Sequence, residues 1–183
     1  MAEKNFNPVE KNLYMSFFTD QNSILTNNEE LKKVLESSIK ESEAHIIKSV
    51  NQVFEPIGFS MVWILEESHA ATHTSPEYNF GSFYLSTCGQ THPFRAVWPL
   101  IKIINPLAGI IRYEKGGMDL KDTKHIFPDT IDDLTRRYEK QFININKDYI
   151  IVGTELEKEN FKLIYYKKGE MNPNILSHLA KND

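Results

Sequence analysis

Leu31, Val34, Leu35 and Ile39 fall on one face of a helix, and runs that read as strands stand on both sides of it. Such a helix has to bury its apolar stripe, and the neighbouring strands offer a sheet to bury it on. Asn27 or Asn28 can cap it, with Glu29 and Glu30 in the first turn, where negative charge favours the helix dipole. Leu13-Tyr14-Met15-Ser16-Phe17-Phe18 reads as the strand before it. His45 to Val53 and Phe59 to Leu65 read as two strands after it, separated by the turn Glu55-Pro56-Ile57-Gly58. Phe80 to Thr87 reads as another strand. Pro93 suits the first turn of a second helix, whose stripe is Val97, Leu100, Ile101 and Ile104, and Leu107 to Tyr113 returns as a strand. The order predicts an α+β fold: a two-layer sandwich, a mostly antiparallel sheet with two helices on one face.

Gly116-Gly117 marks a boundary, so the expected division is a core of residues 1–115 and a C-terminal α/β extension of residues 116–183. Residues 118–129 read as a loop. Thr130 can cap a helix running to about Phe142, Tyr149 to Val152 and Phe161 to Tyr166 read as strands, and a short helix can start at Pro173. This last third carries no motif and reads as an added structural layer or interface. With 40% hydrophobic and 25% charged residues, the composition is that of a globular domain with a real core. A net charge of −4 gives no general attraction to nucleic acid. No apolar run is long enough to span a membrane, and the first residues lack the order of a signal peptide. One cysteine excludes an internal disulfide and fits a reducing cytoplasm.

The chemistry concentrates in Glu66-Glu67-Ser68-His69, followed by His73 and by the lone Cys88. Taken alone, Ser68 is a surface serine near a strand end, and a lone cysteine is more often a small buried hydrophobe. Together these residue types can build a cofactor from the backbone. The Ser68 hydroxyl can attack the Glu67 carbonyl and turn the amide into an ester; a base can then take the Ser68 α-proton and expel the Glu67 carboxylate. Ser68 becomes a pyruvoyl group, a ketone that can capture an amine as a Schiff base. His73 is a side chain suited to the base's task near neutral pH. His69 and His73 also form an H-x-x-x-H pair, which on a helix would suggest metal. Thr72, Thr74 and Pro76 argue against a helix there, so no metal is expected.

Phe54-Glu55-Pro56-Ile57-Gly58-Phe59-Ser60, then Glu67-Ser68-His69 through His73-Thr74-Ser75-Pro76-Glu77, then Thr87-Cys88-Gly89, resemble the S-adenosylmethionine decarboxylase family in its small prokaryotic form. The resemblance runs over roughly residues 12 to 114. It implies a proenzyme that cleaves itself between Glu67 and Ser68, with His73 as processing base, Ser60 assisting around the ester, and Cys88 reprotonating carbon after CO₂ is lost. It also implies a two-layer protomer that assembles as a homo-oligomer, at least a homodimer, and a place in polyamine synthesis.

The family holds adenine between two aromatic rings and binds the ribose through a glutamate. Phe54 matches the first ring and Glu77 the glutamate, but the second ring, a tryptophan in the family, is Ser75 here. Stacking of a base on an aromatic is worth about 1–3 kcal/mol, so the loss matters. Tyr78, Phe80 or an aromatic of the extension can substitute. The expected substrate is S-adenosylmethionine; the alternative is a pyruvoyl-dependent arginine or ornithine decarboxylase, in which Glu77 would pair with a distal cationic group. A non-catalytic partner of an active relative would lose the serine or the proton donor, whereas this chain keeps Ser68, His73 and Cys88.

Overall fold

The computed structural model describes residues 10–20, 22–116, 148–155 and 161–169. Eight strands form one sheet: β1 (Glu10–Phe18), β2 (Ile46–Val53), β3 (Phe59–Leu65), β4 (His69–Ser75), β5 (Phe80–Cys88), β6 (Ala108–Gly116), β7 (Tyr149–Glu155) and β8 (Phe161–Lys167). Their order across the sheet is β2-β3-β4-β5-β1-β6-β8-β7, and every neighbouring pair is antiparallel. Among the described residues, three α-helices accompany it: α1 (Asn22–Thr26), α2 (Asn28–Glu41) and α3 (Val97–Ile104).

The sheet has one dry face. Leu13, Met15 and Phe17 of β1, Phe59, Met61 and Trp63 of β3, and Phe83 and Leu85 of β5 are buried against Leu31, Val34, Leu35 and Ile39 of α2 and Val97, Leu100, Ile101 and Ile104 of α3. Both predicted stripes therefore face the sheet. Asn27 is the N-cap of α2: its side-chain oxygen accepts from the Glu30 backbone N–H, and its amide donates to the Glu30 carboxylate. The Trp63 indole N–H donates to Glu36 of α2 and pins β3 to that helix. Pro93 opens a 3-10 turn, Pro93–Ala96, that leads into α3, so the predicted second helix begins as a tighter turn.

Two differences from the sequence reading stand out. His69 to Ser75 form a strand that the pattern of apolar residues does not announce, because its inward positions are Ala70, Thr72 and Thr74 rather than large side chains. The C-terminal strands join the same sheet: β8 pairs with β6, and β7 closes the edge. Gly109 permits this junction, since a Cβ there would collide with the Ser16 carbonyl oxygen and the Tyr165 hydroxyl. The Tyr149 hydroxyl donates to the carbonyl oxygen of Pro106 at 2.8 Å and ties β7 back to the turn before β6. The predicted loop 118–129 and the helices from Thr130 and Pro173 lie outside the described residues.

Candidate active site

The sheet's other face carries the candidate site residues. Alternation sends Ser60 on β3, His69, Ala71, His73 and Ser75 on β4, and Ser82, Tyr84, Ser86 and Cys88 on β5 away from the helices. Among the described residues no helix packs on this side; the helices belong to the opposite, buried layer.

At one end of that face lies the turn Glu66-Glu67-Ser68 joining β3 to β4, closed by the Leu65 N–H donating to the Ser68 carbonyl at 3.0 Å. The β4–β5 register pairs His69 with Ser86, so continuing two positions further along each chain brings Cys88 beside Glu67. The Cys88 thiol donates to the Glu67 carbonyl oxygen at 3.0 Å. Ser68 Oγ lies 3.2 Å from His69 Nδ1, and the His69 ring lies tilted against Tyr84 at 5.3 Å, which in turn meets Tyr14 at 4.7 Å. Glu67, Ser68 and Cys88 are all half-buried. Burial raises the Tyr14 phenol above its ordinary range, with the Tyr84 phenol and the Glu114 and Glu10 carboxylates adding smaller contributions.

The position of Cys88 is fixed from beneath. Lys11 on β1 is buried, and its ammonium donates to the carbonyls of Gly89 and Thr91, each at 2.9 Å. The Thr91 hydroxyl donates back to the Cys88 carbonyl at 2.9 Å, and Gly89 takes a φ of +68°, a region that side chains avoid. The turn that ends β5 is therefore held by a buried cation.

The remaining residues form a second group at the far end of β4. Ser60 Oγ is 2.7 Å from His73 Nδ1, and Ser75 Oγ is 3.3 Å from His73 Nε2. The Phe54 ring stands 5.9 Å from the His73 ring. Phe80 faces Ser75 across the β4–β5 ladder and packs on Phe18 at 5.3 Å. Glu77 is exposed in the 3-10 turn Pro76–Tyr78. The structure thus brings Glu67, Ser68 and Cys88 together, and Phe54, Ser60, His73 and Ser75 together. It does not bring the two groups together within one chain, because Ser68 and His73 are separated by five residues of extended strand, about 16 Å.

Three residues that hold the Glu66–Ser68 turn or the Gly89–Thr91 turn beside it were not singled out for this chemistry in the sequence. His69, the residue after Ser68, is the imidazole that meets its hydroxyl, and adjacency alone was the available signal. Lys11 and His45 are separated from the turn by long stretches of chain and gave no signal. The His69–His73 pair spans about 13 Å of strand, too far for one metal ion. Among the described residues, a different set, His45, Glu66 and Glu67, holds three possible ligand atoms within 4.8 Å of one another. In this structure the His45 ring contacts both carboxylates, at 3.6 Å from Glu66 and 3.2 Å from Glu67.

The family model for S-adenosylmethionine decarboxylase matches residues 11–111. The chain belongs to that family. An S-adenosylmethionine decarboxylase proenzyme from Thermotoga petrophila is 30% identical over 111 residues, covering 60% of this chain and 85% of the relative. One from Thermodesulfovibrio yellowstonii is 40% identical over 68 residues, 37% of this chain and 50% of that protein. Among solved structures, the adenosylmethionine decarboxylase of Aquifex aeolicus superposes with a TM-score of 0.53 at 21% identity, covering 66% of this chain and 99% of the other. The S-adenosylmethionine decarboxylase-family member is accordingly an α+β sandwich, as its sequence predicts. Among the described residues, no helix is long and apolar enough to cross a membrane.

Proposed function

We propose that this family member is a self-cleaving proenzyme whose Ser68 becomes a pyruvoyl group, and that the cleaved protein decarboxylates S-adenosylmethionine for polyamine synthesis in the cytoplasm. One observation carries the reading: the Cys88 thiol donates to the carbonyl oxygen of Glu67, the group that the neighbouring Ser68 hydroxyl has to attack. A donor there stabilises the oxyanion that develops as Oγ bonds to the carbonyl carbon. His69 Nδ1, at 3.2 Å, is placed to take the hydroxyl proton. The C–N bond then breaks and leaves an ester. Removal of the Ser68 α-proton expels the Glu67 carboxylate, and hydrolysis of the resulting enamine end releases ammonia. Once formed, the pyruvoyl ketone supplies an electrophile that condenses with the substrate amine and accepts the electrons left by CO₂. Cys88, beside it, is the group that returns a proton to carbon.

The α-proton needs a base, and the separation of Ser68 from His73 supports a homo-oligomer in which a second copy supplies it. Both groups lie on the same open face, so two copies laid face to face about a two-fold axis can set Ser60 and His73 of the partner subunit against Ser68. A two-fold contact would complete two such sites at once. Residues 1–115 carry all the chemistry in this reading, and the strands beyond residue 116 widen the sheet. In the substrate pocket, Phe54 offers one ring for adenine, Phe80 stands beside the position that Ser75 leaves open, and Glu77 takes the ribose. A second reading, an arginine or ornithine decarboxylase, is favoured by one observation: Ser75 is turned to His73 and leaves the pocket without a ring at that position.

Intact-mass measurement tests the proenzyme reading. Two chains, 1–67 and a pyruvoyl-capped 68–183, are expected, and a single chain with unmodified Ser68 would overturn it. Release of labelled CO₂ from S-adenosylmethionine, ornithine and arginine, measured side by side, tests the substrate. Turnover of ornithine or arginine alone would replace S-adenosylmethionine.

A further inference from the structure

We infer that His45 is a positioning residue for backbone cleavage between Glu67 and Ser68, an inference that rests on the self-cleaving reading. His45 stands one residue ahead of β2, outside both groups described above, and it engages the cleavage turn at three points. Its carbonyl accepts the Glu66 N–H at 3.0 Å. Its own N–H donates to Glu67 Oε2 at 3.2 Å, and its ring Nδ1 lies 3.2 Å from Glu67 Oε1. Both oxygens of the Glu67 carboxylate are therefore held by one residue.

Glu67 is gripped from the opposite side as well, where the Cys88 thiol holds its carbonyl oxygen. The side chain is tied towards β2 and the carbonyl towards β5, with β3 and β4 between them. A residue held at both points has little freedom to rotate about the chain direction. That rotation decides which side of the Glu67–Ser68 peptide plane the Ser68 hydroxyl meets. The intramolecular attack closes a five-membered ring, so orientation weighs heavily on its rate.

A purely structural role fits poorly. The His45 side chain is 72% exposed, and exposed ion pairs contribute little to stability. After cleavage Glu67 ends its own chain and is no longer bonded to residue 68. The hold on Glu67 then has no lever on the catalytic group, so His45 should govern processing and not turnover.

The test follows proenzyme made by cell-free synthesis, with conversion of the intact chain into its two fragments read over time. His45→Ala should slow conversion about tenfold, within the range that misalignment of reacting groups commands. His45→Asn, whose side-chain amide can again donate to the carboxylate, should recover most of that loss. Turnover per pyruvoyl group in the fully cleaved His45→Ala protein should match the parent, as should the melting temperature of His45→Ala placed in an uncleavable Ser68→Ala chain. In a Glu67→Gln background, His45→Ala should add little further slowing. Equal cleavage rates for the parent and His45→Ala would overturn the inference. So would a parallel loss of melting temperature or of turnover per pyruvoyl group, which would mark His45 as structural. A parent chain that never cleaves would instead overturn the proenzyme reading, and this inference with it.

Discussion

In the mechanism proposed above, Cys88 serves two steps. Its thiol donates to the Glu67 carbonyl in the uncleaved chain, and the same position suits it to return a proton to carbon afterwards. Cys88→Ala should therefore slow backbone cleavage as well as turnover, whereas Cys88→Ser keeps a donor and should cleave close to the parent rate. Loss of a positioned proton donor costs about 10²-fold or more, so turnover per pyruvoyl group should fall by that order in Cys88→Ala. Fragment ratios and CO₂ release measure the two separately. Ser68 and Cys88 could be proposed from the sequence because the chemistry proposed for them needs those residue types. The sequence could not reveal what holds the turn after Cys88, since Lys11 donates to Gly89 from 78 residues away in the chain. A second residue-scale effect lies in the core. Burial pushes the Tyr165 phenol well above its ordinary range, with the Tyr149 phenol adding to the shift, and its hydroxyl has no hydrogen-bond partner among the described residues. The unfolded chain would release this proton near pH 10 while the folded chain retains it, so stability present below that pH is lost as pH rises beyond it. Tyr165→Phe should be at least as stable at pH 7 and should lose less stability between pH 9 and 11 than the parent, as followed by urea unfolding.

At the scale of elements, legibility followed the size of the buried side chains. α2 and α3 were readable because Leu, Val and Ile recur at helical spacing, and the Asn27 cap marks where α2 starts. Asn27→Ala removes the side-chain acceptor for the Glu30 N–H and should cost about 1 kcal/mol, seen as a lower melting temperature. β4 was not readable as a strand. Its inward residues are small or hydroxyl-bearing, and Thr72 and Thr74 satisfy their hydroxyls on the Ser82 and Phe59 backbone rather than filling volume. This same strand sets the geometry of the site. Read along the chain, Ser68 and His73 look adjacent; set on extended backbone, five residues carry them to opposite ends of the open face.

At the scale of the whole molecule, that separation makes a prediction that no single-chain site would make. Neither Ser68→Ala nor His73→Ala alone should yield pyruvoyl-capped chains. Co-expressed, they can form mixed pairs in which an intact Ser68 meets the intact His73 of the partner subunit, and part of the His73→Ala protein should then be cleaved. Differently tagged chains and intact mass would read this, and complete absence of cleavage in the mixture would rule the arrangement out. The sheet order has its own outcome for the cleaved protein. The proposed break falls at a hairpin tip between β3 and β4, so it would cut no ladder. Strands β1, β2 and β3 stay with the first fragment, yet β1 lies between β5 and β6 of the second, while β3 remains paired to β4. The two fragments are woven through one another rather than stacked. They should elute as one species under native conditions and part only in denaturant, so the proposed nick would leave the protein mechanically whole.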